Sequence, residues 1–251
     1  MDIPYEILDD ENTVIEKFHW AANKAREISS PVALIAKKAI LTQKEKQQQY
    51  AESPLMNREE AISVVLDIYG SDAIYLATTG RATRELREQL KQHGIGEGHE
   101  WQNVGSMGHV SSVALGIALA YPKKKVVVFD GDAAAIMHMG ALATNCRYKV
   151  GNMIHIVLNN GVNESVGGQP SAGQVVNLTG VAAACGYQNP GKHLTTKEEV
   201  VAFLNQPSNG MPKFVDLYVR QGIRPDMPKL GINHKAVKNE LMKNLSVGIN
   251  K

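Results

Sequence analysis

The sequence predicts an α/β fold in which a parallel sheet is covered by helices on both faces. Short apolar runs bounded by turn residues alternate along the chain with segments whose apolar residues recur at helical spacing. These runs are apolar throughout, which is typical of strands buried on both faces of a parallel sheet. With 251 residues, of which 43% are hydrophobic and 21% charged, the chain is large enough to bury one sizeable core.

The same alternation predicts each element after residue 56. We predict strands at 73–77, 126–129, 153–158 and 214–219. We predict helices at 58–69, 82–92, 111–120, 135–148, about 175–185, and 197–205. Asn57 and Glu60 form a capping pair at the start of the first of these helices.

Flanking segments suggest how the chain is divided. Residues 1–36 hold a helical pattern followed by a buried strand at 32–36, and a polar connector over 37–56 indicates a domain boundary. The main domain then covers residues 57–222. The tail, residues 223–251, contains a basic, weakly amphipathic helix from about His234, and its sequence indicates no function.

Charge and composition exclude several classes of function. The formal net charge is +2, from 27 basic and 25 acidic residues spread along the chain, which indicates no nucleic-acid partner. No apolar run reaches the length of a membrane span, and the start of the chain lacks a secretory pattern. Cys146 and Cys185 lack the C-x-x-C spacing of metal and redox sites, so we predict buried free thiols and a cytoplasmic protein.

Ligands of parallel α/β sheets bind beyond the carboxyl ends of the strands, and two loops at such positions are unusual. Thr78, Thr79 and Gly80 end the first main strand before a helix, where hydroxyl groups and free amides can bind an anion. An ordinary helix cap would use the same residues, and that alternative stays open. In the segment 105–109, two glycines flank Met107, which lets the backbone approach a ligand while one bulky side chain projects. Core filling is the alternative role of that methionine.

The strongest signal comes from a pair of loops after two successive strands. Asp130-Gly131-Asp132-Ala133 follows one strand, and Asn159-Asn160-Gly161 follows the next. A carboxylate and an amide oxygen therefore meet at one edge of the sheet, and Mg²⁺ takes such oxygen ligands together with phosphate oxygens. The alternative is that Asp132 caps a helix and that 159–161 is only a turn.

These segments resemble thiamine-diphosphate enzymes, and most closely the family of phosphonopyruvate decarboxylases and sulfopyruvate decarboxylase beta subunits. The resemblance covers about residues 55–222 and implies the diphosphate-binding domain fold of these enzymes. It rests on Thr78-Thr79-Gly80, Val104–His109, Asp130–Asp132, Ile136–Gly140, Val157–Gly161 and Ser165–Pro170. One departure is Ala133, where the wider family has Gly. Residues 1–36 resemble the end of the family's preceding pyrimidine-binding domain.

The resemblance implies roles for individual residues. Asp132, the Asn160 side chain and the Val162 carbonyl would bind Mg²⁺, which bridges the diphosphate. The carbonyl of Gly105 would contact the cofactor's amino group, and Met107 would hold its two rings in a bent conformation. The other implied cofactor-binding residues are Thr78, Thr79, Gly80, Ser106, Gly131, Ala133 and Ala134.

Substrate recognition and proton delivery would fall to other side chains. We predict His109 as a catalytic residue, with His138, Arg81 and Arg84 as further candidates. A buried, hydrogen-bonded histidine and a solvated helix face are their structural alternatives. The glycines of the stretch 161–173 predict a mobile lid.

The predicted reaction is the thiamine-diphosphate- and Mg²⁺-dependent, non-oxidative decarboxylation of 3-phosphonopyruvate to phosphonoacetaldehyde and CO₂. Sulfopyruvate is the alternative substrate, because arginine binds phosphonate and sulfonate alike. A cofactor-binding subunit that is inactive on its own is the other alternative. The sequence has neither a Gly-x-x-x-x-Gly-Lys loop nor a Gly-x-Gly-x-x-Gly fingerprint after a strand, which argues against a nucleotide-binding protein.

The resemblance also implies a glutamate supplied by a pyrimidine-binding domain. Residues 12–36 are too few to form that domain, and Glu11, Glu16 and Glu27 fall on or beside a polar helix face. We therefore expect a piece of a longer protein or one subunit of a split, oligomeric enzyme, whose site is completed by a pyrimidine-binding domain or subunit.

Overall fold

The computed structural model describes residues 3–38, 40, 41, 53–228, 231 and 233–247. The chain divides into two compact units, residues 1–49 and 50–251. The middle of the predicted connector, residues 42–52, lies outside the described residues. Within the described ranges, no helix combines the length and the apolar character needed to cross a membrane.

The first unit is a small βαβ arrangement. Strand β1 (Tyr5–Leu8) is followed by a single 3-10 turn (Glu11–Thr13), helix α1 (Val14–Ile28) and strand β2 (Ala33–Ala36). The two strands pair in parallel. The sequence predicts no strand before α1, and it is wrong about the burial of the strand after it, because Ile35 is 51% exposed. A short apolar run such as 32–36 shows where a strand lies but not what covers it.

The second unit contains the remaining elements. Its helices are α2 (Arg58–Tyr69), α3 (Arg81–Gln92), α4 (Val110–Ala120), α5 (Asp132–Met137), α6 (Gly140–Arg147), α7 (Leu178–Cys185), α8 (Lys197–Leu204) and α9 (His234–Val247). Its strands are β3 (Ala73–Thr78), β4 (Glu100–Asn103), β5 (Lys125–Gly131), β6 (Met153–Asn159), β7 (Val162–Asn163), β8 (Gln169–Pro170) and β9 (Lys213–Tyr218).

Five of these strands form a parallel sheet in the order β4-β3-β5-β6-β9. From β3 the chain crosses to one side, to β4, whereas from β5 it crosses to the other side, to β6. The loops that follow β3 and β5 therefore diverge, and a crevice opens between them at the carboxyl edge. Ligands of open α/β sheets bind at such a topological switch point.

Alternate side chains of the central strands point to opposite faces, and helices cover both. Tyr75 packs with α2, α3 and α8, whereas Ile74 and Leu76 pack with α4 and α9. A third group of buried residues lies among α5, α6 and α7. The predicted α/β class, with a parallel sheet between two layers of helices, is confirmed.

Local sequence signals explain most element boundaries. Asn57 caps α2 by accepting from the Glu60 amide at 2.8 Å, and the Glu60 carboxylate accepts from the Asn57 amide at 2.7 Å, as the capping pair predicts. The single helix predicted at 135–148 is wrong. Helix α5 begins earlier, at Asp132, and the chain leaves helical geometry at His138 before α6 begins at Gly140.

Candidate functional site

A cleft opens at the switch point, between the carboxyl ends of β3, β5 and β6. Ten predicted site residues line it, namely Thr78, Thr79, Gly80, Met107, Gly131, Asp132, Ala133, Ala134, Asn160 and Val162. Gly105, Ser106 and His109, also predicted, are not among its lining residues. Arg81, a further predicted candidate, lines the cleft as well, and so do Arg58 and Glu164, to which the sequence did not point.

The loop after β3 lines this cleft and contains a buried hydroxyl group without a hydrogen-bond partner in the described chain. Thr78 is buried, and its Oγ1 has no hydrogen-bond partner within the described chain. Its carbonyl accepts from Thr83 Oγ1 at 2.5 Å, which fastens the loop to α3. Gly80 has a φ of 110°, a conformation that favours glycine. A buried hydroxyl without a partner is costly, so Thr78 is suited to donate to a bound oxygen.

The segment 105–109 lies beside that loop. The Gly105 amide donates to Thr79 Oγ1 at 3.4 Å, and Asn103 Nδ2 donates to the Ser106 carbonyl at 2.8 Å. Gly108 combines a φ of 83° with close packing, because a Cβ there would lie 2.5 Å from His138 Cδ2. These contacts hold a tight turn whose half-buried Met107 side chain reaches the cleft.

His109 and His138 form a pair beside this turn. Their ring centroids are 4.1 Å apart, and both side chains are exposed, so the alternative of buried, hydrogen-bonded histidines is wrong. Arg81 is not merely a solvated residue either, because its guanidinium donates to the Glu164 carbonyl at 3.0 Å. Arg84 Nε is buried without a partner in the described ranges.

Asp132 is the carboxylate at the floor of the cleft. Its Oδ2 accepts from the Ser171 hydroxyl, and the stretch that carries Ser171 begins with the hairpin β7–β8. Burial raises the pKa of Asp132, while hydrogen bonds from Ser171 and from the Ala133 and Gly161 amides oppose that shift. The predicted lid, residues 161–173, thus contacts Asp132, and its mobility stays a prediction.

Asn159 and Asn160 have different roles although they are neighbours. Asn159 is fully buried, and its Nδ2 donates to the Gly173 carbonyl at 2.8 Å and to Asp216 Oδ1 at 3.0 Å. It therefore fixes the loop after β6 to two other segments. Asn160 lines the cleft, where its Nδ2 donates to Glu164 Oε2 at 3.0 Å and its Oδ1 accepts from the Val162 amide at 3.2 Å.

A buried ion-pair cluster closes one side of the cleft. Arg58 pairs with Glu85, at 2.7 Å from Nε and 3.0 Å from Nη2, and its Nη1 contacts Glu164. Glu164 also accepts from the Gly222 amide. The sequence did not indicate this cluster, because its members are far apart in the chain and each resembles an ordinary surface charge.

The donors in the cleft fit a diphosphate bound through a hard cation. Within the described part of the chain, no three His, Cys, Asp or Glu side chains come close enough to hold a metal ion by themselves. Mg²⁺ does not need such a group, since it takes one or two protein oxygens and completes its shell with water and phosphate. The Asp132 carboxylate and the Asn160 amide oxygen are of that type, and Thr78, whose buried hydroxyl has no partner in the described chain, lines the same cleft.

The cleft lies within a segment that matches a known protein family. Residues 78–193 match the family described as thiamine pyrophosphate enzyme, C-terminal TPP binding domain. In fold, the chain resembles the thiamine diphosphate-dependent 4-hydroxybenzoylformate decarboxylase of Rhodococcus jostii, with a TM-score of 0.55 and 21% identity. That similarity covers 68% of this chain and 34% of the other.

Curated relatives narrow the family. A phosphonopyruvate decarboxylase of Streptomyces viridochromogenes is 38% identical over 153 residues, which are 60% of this chain and 36% of that protein. A sulfopyruvate decarboxylase subunit beta of Methanothermobacter thermautotrophicus is 31% identical over 133 residues, which are 53% of this chain and 68% of the relative. The chain thus spans about a third of the first relative and two thirds of the second. It belongs to the family of thiamine-diphosphate-dependent decarboxylases that includes the phosphonopyruvate decarboxylases and the sulfopyruvate decarboxylase beta subunits.

Proposed function

We propose that this chain supplies the diphosphate-binding half of a thiamine-diphosphate- and Mg²⁺-dependent decarboxylase. The proposal is carried by one observation: the loops after β3, β5 and β6 bring Thr78, Asp132 and Asn160 into a single cleft at the switch point of the sheet. Residues 57–222 would form this cofactor domain, with 1–36 as the end of a pyrimidine-binding domain, 37–56 as linker and 223–251 as tail.

We propose 3-phosphonopyruvate as the substrate. Its carboxylate leaves as CO₂, and a proton takes the vacated position, which gives phosphonoacetaldehyde. The similarity to the phosphonopyruvate decarboxylase of S. viridochromogenes supports this assignment. Sulfopyruvate is the alternative, and the beta subunit of M. thermautotrophicus, of which this chain covers 68%, favours it.

The cleft residues would bind the cofactor in two groups. Asp132, Asn160 and the carbonyl of Val162 would provide the protein oxygens of the Mg²⁺ shell. The residues that would bind the diphosphate are Thr78, Thr79, Gly80, Gly131, Ala133 and Ala134. When bound, thiamine diphosphate accepts the electron pair of the breaking carbon–carbon bond, and the chain's task is to hold it in position.

The turn 105–109 would contact the cofactor's organic part. Met107 is the one bulky side chain that this turn sends into the cleft, so it would support the bend between the two rings. Gly105 and Ser106 would contact the aminopyrimidine through their backbone, as the resemblance to thiamine-diphosphate enzymes implies. Glycine is needed at Gly105, whose φ is 80°.

His109 and His138 would bind the second anionic group of the substrate. The pair is exposed beside Met107, and imidazole N–H groups donate to tetrahedral anions. Arg81 is less suited to this role, because Glu164 already pairs with its guanidinium. In this proposal, His138→Asn raises the KM for 3-phosphonopyruvate but not that for pyruvate, which lacks the second anion.

A pyrimidine-binding domain would complete the site, from another subunit or from elsewhere in a longer protein. The M. thermautotrophicus relative is a subunit beta, which supports a split, oligomeric enzyme. The free thiols of Cys146, which is buried, and Cys185, which is half-buried, support a cytoplasmic location.

Two measurements test this function. Calorimetry with thiamine diphosphate and Mg²⁺, repeated with NAD and with ATP, should show binding of the first alone. A decarboxylase assay with and without a separately expressed pyrimidine-binding partner should show turnover only with the partner. Comparison of phosphonopyruvate and sulfopyruvate in that assay identifies the substrate. Cofactor binding without turnover in any combination would favour a non-catalytic, cofactor-binding subunit instead.

A further inference from the structure

We propose that Glu164 is a positioning residue that fixes the orientation of the Asn160 side-chain amide and so decides which of its atoms faces the metal. The inference rests on the proposed function, in which the Asn160 oxygen is a ligand of Mg²⁺. Glu164 itself is not proposed to touch the metal.

The contact between the two side chains restricts the orientation of the Asn160 amide. The Asn160 amide has an oxygen and a nitrogen of nearly equal size, and only the oxygen can bind a cation. Nδ2 lies 3.0 Å from Glu164 Oε2. An ionised carboxylate accepts hydrogen bonds and donates none, so only the NH₂ group of an amide can face it. The oxygen must therefore point the other way.

The oxygen end of the Asn160 amide faces the backbone of Val162. Its Oδ1 accepts from the Val162 amide at 3.2 Å, and the carbonyl of that same residue is the other metal ligand proposed for this loop. An amide turned by half a rotation would direct its single NH₂ group towards the Val162 N–H, so that two donors faced each other, and would offer Mg²⁺ no oxygen on that side. Glu164 thus excludes the orientation that cannot bind the metal.

Glu164 is held in place by donors from three separate segments. Arg58 Nη1 and the Gly222 amide donate to its carboxylate, and Arg81 Nη1 lies 3.4 Å from Oε1. Arg58 and Glu164 are 5% and 11% exposed, so water competes little for these contacts. A carboxylate fixed on several sides is a rigid reference for the amide that it orients.

Glu164 also links the two anchoring loops, through its backbone as well as its carboxylate. Arg81 begins α3 directly after the loop 78–80, and its Nη2 donates to the Glu164 carbonyl at 3.0 Å. Asn160 belongs to the loop after β6. Outer contacts that orient a metal ligand typically change metal affinity by about 10- to 100-fold when removed.

The first experiment measures the orientation in the cofactor-free, wild-type chain. NMR should show the two Asn160 side-chain amide protons, one with a nuclear Overhauser effect to the Glu164 methylene protons and with slow solvent exchange. In Glu164→Gln the exchange should become fast. Absence of the Overhauser effect in the wild-type protein would overturn the inference, whether or not any variant folds.

The second experiment is a double-mutant cycle read by calorimetric titration of Mg²⁺ in the presence of thiamine diphosphate. Glu164→Gln should weaken Mg²⁺ binding by about 10- to 100-fold. Asn160→Asp should weaken binding when Glu164 is present, since two carboxylates then face each other. In the Glu164→Gln background the same change should strengthen binding, because Gln can donate to the new carboxylate. An effect of Asn160→Asp with the same sign in both backgrounds would refute the inference.

Glu85→Gln is the matched control. Arg58 pairs with two carboxylates, and Glu85→Gln removes one of them while Glu164→Gln removes the other. Glu85, however, makes no hydrogen bond with Asn160 in the described chain. The Mg²⁺ affinity of Glu85→Gln should equal that of the wild type, and a loss as large as that of Glu164→Gln would assign the effect to Arg58 and overturn the proposal. Failure of the proposed function would give a different result. The wild-type protein would then bind neither Mg²⁺ nor thiamine diphosphate, although the NMR contact between Asn160 and Glu164 would remain.

Discussion

Gly173 lies against Asp132 so closely that a Cβ at position 173 would be 2.1 Å from Asp132 Oδ2. Real Cβ atoms do not approach other atoms to this distance, so any side chain at 173 must displace the carboxylate or the loop. The Gly173 carbonyl is also held by Asn159 Nδ2 at 2.8 Å. A Cβ at 173 would also lie 2.5 Å from Asp132 Cβ. Turning the carboxylate alone cannot relieve that overlap, so the start of α5, which carries Asp132, or the backbone at Gly173 has to shift.

Gly173→Ala should consequently abolish Mg²⁺-dependent binding of thiamine diphosphate in a protein that still folds. Gly116→Ala is the control, because a Cβ at that position of α4 meets nothing within 4 Å. Calorimetry on both variants, with circular dichroism to check folding, makes the comparison. Equal cofactor affinity in Gly173→Ala and wild type would show that the position of Asp132 does not matter for binding.

The Asp132 carboxylate itself gives a second prediction. Asp132→Ala should remove Mg²⁺-dependent cofactor binding and leave the fold intact, since the sheet does not depend on a loop carboxylate. Burial raises the pKa of Asp132, and a proton competes with a metal for the same oxygens. In the wild type, the apparent Mg²⁺ affinity should therefore fall as the pH is lowered, beginning at a higher pH than for an ordinary aspartate. Calorimetry across neutral and mildly acidic pH measures this, and a pH-independent affinity would contradict it.

Asp216, on β9 beneath the loop 159–161, gives a prediction about stability. Burial raises its pKa from 3.8 to about 6, although Asn159 donates to it. Between these two values the folded state holds a proton that the unfolded state has lost. The free energy of unfolding contributed by Asp216 is thus largest below pH 3.8 and falls as the pH rises to about 6.

Asp216→Asn removes this penalty and retains an oxygen that accepts from Asn159. At neutral pH the variant should be more stable than wild type by up to roughly 3 kcal/mol, from about 1.4 kcal/mol per pKa unit. Urea unfolding from acidic to neutral pH measures the difference, with Asp72→Asn as an exposed control. Parallel pH profiles of the wild type and Asp216→Asn would rule out the raised pKa.

Local signals explain why much of the fold could be predicted. Helix α2 follows from its capping pair and its apolar spacing, and the central strands follow from their uninterrupted apolar runs. Strand β4 was missed because it reads Glu-Trp-Gln-Asn and lies at the edge of the sheet, where one neighbour suffices and a polar sequence is tolerated. Strand β1 and the hairpin β7–β8 were missed because each strand has four residues or fewer.

The site could be predicted in part for a topological reason. Parallel strands bring the loops after their carboxyl ends to one edge, so the order of strands and loops along the chain is enough to group Thr78, Asp132 and Asn160. Glu164 could not be added to them, because its partner Arg58 is more than a hundred residues away and the polar stretch between β7 and β8 has no periodicity. Ser171 was missed because a serine close to a glycine resembles an ordinary turn.

Met107 gives the last prediction, which concerns geometry rather than affinity. Among residues 105–109, Met107 is the only one that lines the cleft in the described structure. If Met107 supports the bent cofactor, removing its bulk should loosen the reacting arrangement while the diphosphate contacts survive. Misplacement of reacting groups by about 1 Å costs on the order of a hundredfold in rate.

Met107→Ala, assembled with a pyrimidine-binding partner, should therefore lose about a hundredfold in kcat with little change in cofactor affinity. Met107→Leu keeps a similar volume and should retain most of the rate. Met137→Ala is the matched control, because Met137 is 57% exposed and does not line the cleft. Steady-state kinetics and calorimetry separate the two effects. If Met107→Ala lost cofactor affinity and kcat in parallel, Met107 would be a binding residue only. If kcat were unchanged, Met107 would not support the bent conformation of the cofactor.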